Sequence, residues 1–222
     1  MESSDKNIFI KQHIELYGEE LFLNSSSYST DKDFSKLSKK SLLSDVETNL
    51  SFYIGQDYDG LNNNQVFGSG DCNADLLIIG ESPRDYEIES GRPFAGASGK
   101  LLDKILNAIG LKRNQNVYLT YILKHKTSNN RDPLLSEINK FLPFLINQIE
   151  IINPKIIVGL GKVVGKTLLN TDSKLENMRN KLHEFESYPL TVTYCPETLL
   201  RDHSLKKYAW EDFQFIRDFL KS

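Results

Sequence analysis

The sequence predicts an α/β fold, a three-layer αβα arrangement around a mostly parallel central sheet, and three observations carry that expectation. Short apolar runs recur at 75–80, 117–123, 155–161 and 190–194. Between them lie segments whose apolar residues return every three or four positions, the period of a helix with one buried face. Strand alternating with helix gives parallel strands covered on both faces.

Residues 5–23 carry Ile8, Phe9, Ile10, Ile14, Tyr17, Leu21 and Leu23, and much of that set fits a helical stripe. Residues 24–72 are rich in Ser, Asn, Asp and Lys and read mostly as loop, with a short helix near 42–50. Residues 1–70 are therefore expected to form an N-terminal helix and polar extension, and residues 71–222 the α/β domain. Within that domain the strand at 75–80 runs into a polar loop carrying Glu81, Pro83, Arg84 and Asp85. A Gly-Ala-Ser-Gly turn then opens a helix near 98–110 with Leu101, Leu102, Ile105 and Leu106 on one side. The strand at 117–123 precedes a long helix over 133–151, with Leu135, Ile138, Leu142, Leu145, Ile149 and Ile152 at helical spacing. After the strand at 155–161 a helix runs to about Asn170, and the strand at 190–194 leads to a last amphipathic helix near 204–220. Trp210 and the aromatics around it read as core of that helix.

Composition is that of an ordinary globular protein, 39% hydrophobic and 26% charged, with a net charge of −3. That balance argues against broad, non-specific nucleic-acid binding while permitting a local basic patch. No apolar run reaches membrane-spanning length and the first residues lack signal-peptide order, so a cytoplasmic monomer is expected. Two cysteines, Cys72 and Cys195, are too few for a disulfide framework or a multi-cysteine metal site. The four histidines lack ligand spacing, and neither a P-loop nor a dinucleotide fingerprint is present, so no cofactor is expected.

The loop from Glu81 to Gly99 is the candidate site, because ligands of open α/β sheets bind beyond the carboxyl ends of the strands. It joins the carboxylates Glu81, Asp85 and Glu87 to a stackable ring, Phe94, and a helix start at Ser98. Ser98 reads equally as a plain N-cap and as an anion contact. Lys124, His125 and Arg131 follow the second strand and Arg201 follows the last, all at the same sheet edge. A basic rim around an acidic, aromatic pocket suits a polyanion whose uncharged part enters the pocket, and nucleic acid with a flipped base is one such ligand. Cys195, taken by itself, reads as a small buried thiol.

Gly80-Glu81-Ser82-Pro83, Gly91-Arg92-Pro93-Phe94-Ala95-Gly96, Gly99-Lys100-Leu101-Leu102, the run from Lys155 to Gly161 and Leu199-Leu200-Arg201 resemble, in order and spacing, the motif series of the uracil-DNA glycosylase superfamily. The nearest likeness is to family 4, the iron–sulfur type, from about Val66 to Phe219. The resemblance implies cleavage of the N-glycosidic bond of a base flipped out of DNA. Departures accompany it. His125 and Lys140 stand where two cluster cysteines would be, and residues 49–58 lack the other pair. Tyr121 replaces the Asn that reads uracil, Cys195-Pro196 replaces the His-Pro that meets the base carbonyl, and Arg84 replaces a Gly. A phenol cannot reproduce the paired donor and acceptor of an amide, and a thiol is a poor donor to a developing negative charge.

Three functions follow from scaffold and departures together. The first is a DNA glycosylase rebuilt for a modified or non-uracil base, such as those of phage DNA, and hence a defence factor. In it Glu81, Asp85 or Glu87 orients water and stabilises an oxocarbenium-like sugar. Phe94 stacks on the base, Tyr121, Cys195 and Ser82 shape its pocket, and Arg84, Ser98, Lys124, His125, Arg131 and Arg201 contact DNA. The second is a repair enzyme for uracil or hypoxanthine. The third is a non-catalytic scaffold that binds DNA or protein.

Overall fold

A computed structural model describes residues 38–57 and 65–222; the helix expected over 5–23 lies outside the described residues. The strands are β1 (Ser69–Gly70), β2 (Leu76–Gly80), β3 (Val117–Tyr121), β4 (Ile156–Leu160), β5 (His183–Phe185) and β6 (Tyr188–Thr193). They form one sheet in the order β1-β3-β2-β4-β6-β5. The inner four run parallel, with Leu76 opposite both Val117 and Ile156, and Ile157 opposite Leu190. β1 and β5 pair antiparallel with β3 and β6 at the two edges. Every residue of β2, β3 and β4 is buried, as expected where helices cover both faces.

The helices are α1 (Lys39–Asp57), α2 (Asp85–Ser90), α3 (Gly96–Ala108), α4 (Leu135–Ile152), α5 (Lys162–Leu169), α6 (Leu175–Met178), α7 (Pro196–Arg201) and α8 (Lys206–Lys221). Successive strand residues face opposite ways. Leu76, Ile78, Val117, Leu119, Ile156 and Val158 pack with Leu102 and Leu106 of α3 and Phe213 and Ile216 of α8. On the other face Thr120 hydroxyl donates to Gln148 of α4 at 3.0 Å, and a Cβ on Gly159 would lie 3.2 Å from Val164 of α5. These two faces are the outer layers that the alternation predicts.

The departures from expectation have local causes. The helix expected near 42–50 extends over the whole of α1, because its apolar side packs on α4. There Tyr53 meets the rings of Phe144 and Phe141 at 5.6 and 6.4 Å, and Lys39 donates to the Ile152 carbonyl at 2.7 Å. The compact unit containing the sheet runs from Lys39 to Ser222 and so includes α1. β5 escapes the sequence reading because its hairpin turns through Glu186 and Ser187, both at positive φ, without the Asn-Gly or Gly that normally announces such a turn. Trp210 is not core: it is 38% exposed, and Phe213 holds the buried position on α8. α2, α6 and α7 are too short for periodicity to reveal.

Candidate active site in the cleft beyond β2 and β4

From β2 the chain crosses to β3 on one side, and then to β4 on the other. The crevice between β2 and β4 is therefore the topological switch point at which ligands of doubly wound sheets bind. Two glycines floor it. A Cβ on Gly80 would stand 2.7 Å from the Tyr121 ring and 2.8 Å from Phe94, so only hydrogen leaves room for both aromatics. Gly161, at φ +95°, turns the chain out of β4 directly beside Cys195. A cleft of about 750 Å³ opens above them.

Phe94 and Tyr121 form one wall. Their ring centroids are 4.9 Å apart at 31°, and the Phe94 N–H donates to the Tyr121 hydroxyl at 2.8 Å. Burial pushes the Tyr121 phenol well above its ordinary value, so it faces the cleft as a neutral group. Phe94 adopts φ +50°, a strained conformation for an aromatic residue, and Arg113 holds it there. The guanidinium donates to the carbonyls of Pro93, Phe94 and Gly99 at 2.7, 2.8 and 3.1 Å while pairing with Asp103.

The three candidate carboxylates separate into three roles. Glu81 lines the cleft with its Oε1 buried and accepting no hydrogen bond; the Arg84 guanidinium is 3.6 Å away. Desolvation raises its pKa, against the opposing pull of Arg84. Glu87 also reaches the cleft, but its two oxygens accept the backbone N–H groups of Arg84 and Ala95, each at 3.0 Å. It caps α2 and ties the loop across its base. Asp85 is exposed, pairs with Lys126 and does not line the cleft.

The facing wall comes from the segment after β6. Cys195 lies within 3.0 Å of the Thr198 hydroxyl, and burial raises its pKa, keeping it a thiol. Glu197, two residues on, lines the same cleft, as does Arg201. Ser82 enters from the β2 side, 5% exposed, its hydroxyl without a hydrogen-bond partner.

Several residues expected at a DNA-binding rim are elsewhere. Lys124 is fully buried, donating to Thr120, the Tyr121 carbonyl and Gln148 at 2.6, 2.7 and 2.5 Å. His125 is 4% exposed, with its ring 4.8 Å from Phe141. Two residues that follow a buried strand without a break share its interior environment, and polarity alone does not reveal this. Ser98 is buried inside the first turn of α3, donating to the Ala95 carbonyl, so Ala95 and not Ser98 caps the helix. Arg131 is forked onto Glu137, with both bonds 2.7 Å, and lies outside the cleft. Arg84 and Arg201 do reach it. Sequence reasoning missed Glu197 and Arg113. Glu197 was signalled by its place two residues after Cys195, whereas Arg113 precedes β3 and carries no motif.

The positions where the resemblance puts cluster cysteines do not fit an iron–sulfur group. Lys140 offers no thiolate, His125 is packed on Phe141, and α1 meets α4 through the Tyr53, Phe141 and Phe144 rings. Among the described residues no cluster of three or more His, Cys, Asp or Glu could hold a metal, and no helix is long and apolar enough to cross a membrane.

Residues 67–214 match the uracil DNA glycosylase superfamily. The Type-4 uracil-DNA glycosylase of Sulfurisphaera tokodaii is 38% identical over 164 residues, covering 70% of this chain and 74% of that protein. The enzyme of the same name from Archaeoglobus fulgidus is 35% identical over 161 residues, covering 69% and 80%. A DNA polymerase of Bacillus phage SP01 is 30% identical over 154 residues, which cover 69% of this chain and only 17% of the polymerase.

Proposed function

This chain belongs to the uracil-DNA glycosylase superfamily, hydrolases of N-glycosyl bonds, and we propose that it excises a modified or otherwise non-uracil base flipped from DNA, leaving an abasic site. The observation that carries the reading is the position of Glu81. A carboxylate oxygen without a hydrogen bond sits in the same cleft as the stacked Phe94 and Tyr121.

A base entering this cleft stacks on the aromatic wall, a contact worth about 1–3 kcal/mol. As the N-glycosidic bond breaks, its electron pair leaves with the base and positive charge grows on the sugar. Glu81 stabilises that charge and orients the water that adds to the anomeric carbon, as carboxylates do in sugar hydrolysis. Glu87 holds the loop, and Arg84 and Arg201 supply cationic contacts for the flanking phosphates. Tyr121 occupies the place of the uracil-reading Asn with a buried, neutral phenol already engaged by Phe94. That engagement argues against a uracil pocket and for a re-targeted one. A modified pyrimidine of phage DNA is such a target, and its removal would make the protein a defence enzyme.

The test is base release from DNAs containing uracil, hypoxanthine, mismatched thymine and modified cytosines, with alkali cleavage of the abasic sites. Strand breaks on a modified DNA and none on uracil DNA are expected. Breaks on uracil DNA would replace this reading with uracil repair, which the names of the Type-4 relatives favour. Binding without breaks on any DNA would leave a non-catalytic scaffold.

A further inference from the structure

Two walls face each other across the glycine floor, and their chemistry differs. On one side stand rings that read a base by its faces. On the other, Cys195 stands beside Gly161 and the first turn of α7 brings Glu197 to the same cleft. β2 and β6 are separated in the sheet by β4 alone, so their ends are about 10 Å apart. A planar base stacked on Phe94 over the Gly80 end therefore points an edge towards the β6 side. Glu197 is half-buried there and lines the cleft with Glu81, Glu87, Tyr121 and Cys195, whose pKa values are raised first by burial and further by the Glu197 carboxylate. Ser82, buried and without a hydrogen-bond partner, is a second polar group left open in the same slot.

We infer that Glu197 is the specificity residue of the cleft, selecting a base that presents an exocyclic amino group over one that presents a carbonyl at the same position. A carboxylate only accepts hydrogen bonds. It pairs with an amino N–H as acidic side chains do with the amino group of cytosine, and it repels a carbonyl oxygen. Ser82 adapts to either kind of edge because a hydroxyl both donates and accepts. Glu197 therefore supplies the discrimination and Ser82 does not. The inference rests on the proposed glycosylase reading and narrows its substrate to aminopyrimidines.

The test uses four DNAs identical except at one base: cytosine, uracil, 5-hydroxymethylcytosine and 5-hydroxymethyluracil. The members of each pair differ at C4, amino against carbonyl, and with it at N3, an acceptor in the cytosines and an N–H donor in the uracils. Single-turnover base release is measured for the full chain, for Glu197→Gln and for Glu197→Ala, with melting temperatures to establish folding. The unaltered protein is expected to release the amino member of a pair about tenfold faster or more, the discrimination of one good polar pair. Glu197→Ala should abolish the preference. Glu197→Gln should move it towards the carbonyl member, because an amide N–H can donate to that oxygen. Faster release of the carbonyl member by the unaltered protein overturns the inference while leaving the glycosylase reading intact. So does a preference unchanged in both variants. Failure of the unaltered protein to release any of the four bases, with its fold intact, overturns the inference itself.

Discussion

The backbone N–H of Phe94 donates to the phenol of Tyr121 at 2.8 Å, and the two rings stack at 4.9 Å. One residue thus fixes the strained backbone of the other and also extends its stacking surface. Tyr121→Phe should keep the stack and lose the acceptor, costing about 1–3 kcal/mol of stability through the unpaired buried N–H. Base release should change less than in Tyr121→Ala, which removes the wall. Chemical denaturation and single-turnover rates separate the two effects.

Glu81 and Asp85 make opposite predictions although both sit in the same loop. Glu81→Gln should lower base release by about 10²–10⁴-fold. Asp85→Asn, outside the cleft and paired with Lys126, should leave the single-turnover rate within about twofold. Loss of activity in Asp85→Asn would return that carboxylate to the mechanism.

The pH dependence of release follows from desolvation of Glu81. Burial raises its pKa above 4.5, and the ionised form is the working one, so the rate should rise with pH through a value above 4.5. Any activity remaining in Glu81→Gln should lack that limb. An acid limb that survives the substitution would assign the titration to another group.

Buried Lys124 governs stability instead. Burial holds its pKa well below 10.5, so between that depressed value and 10.5 the unfolded chain binds more protons at this site than the folded protein. Stability contributed by this residue should therefore climb with pH across the window. Lys124→Met should flatten the climb, and the buried acceptors it leaves without a donor should cost about 1–3 kcal/mol, read from urea midpoints across pH. A slope unchanged in the variant would show that other groups produce it.

Arg113 is tested through the loop it clamps. Arg113→Ala removes three hydrogen bonds to the Pro93, Phe94 and Gly99 carbonyls. It should cost about 2–3 kcal/mol and slow base release even where the protein remains fully folded. Normal turnover in a destabilised variant would confine Arg113 to structure.

The parallel strands were legible because burial on both faces makes them continuously apolar, as in the run from Leu76 to Ile79. Glu81 and Phe94, which both line the cleft, could be singled out because Gly80 precedes the first and Gly91 and Gly96 bracket the second. The rim was not. Lys124 and His125 follow β3 so closely that they stay inside, and a charged residue gives no sign in sequence that neutral acceptors such as Thr120 and Gln148 await it. Arg113 bonds carbonyls 14–20 residues away, and Glu197 reaches the cleft from α7, far in sequence from the Glu81 loop it faces there. Periodicity carries no information at such range.

Among the described residues the sheet also ends in a particular way. β1 contributes two residues and β5 three, both antiparallel to the strands they cover. A neighbouring chain seeking to add itself there finds too few free backbone groups to start a ladder. Protection against runaway strand addition is thus built into the brevity of the borders, and lengthening either one is the change most apt to turn this domain into a fibre former.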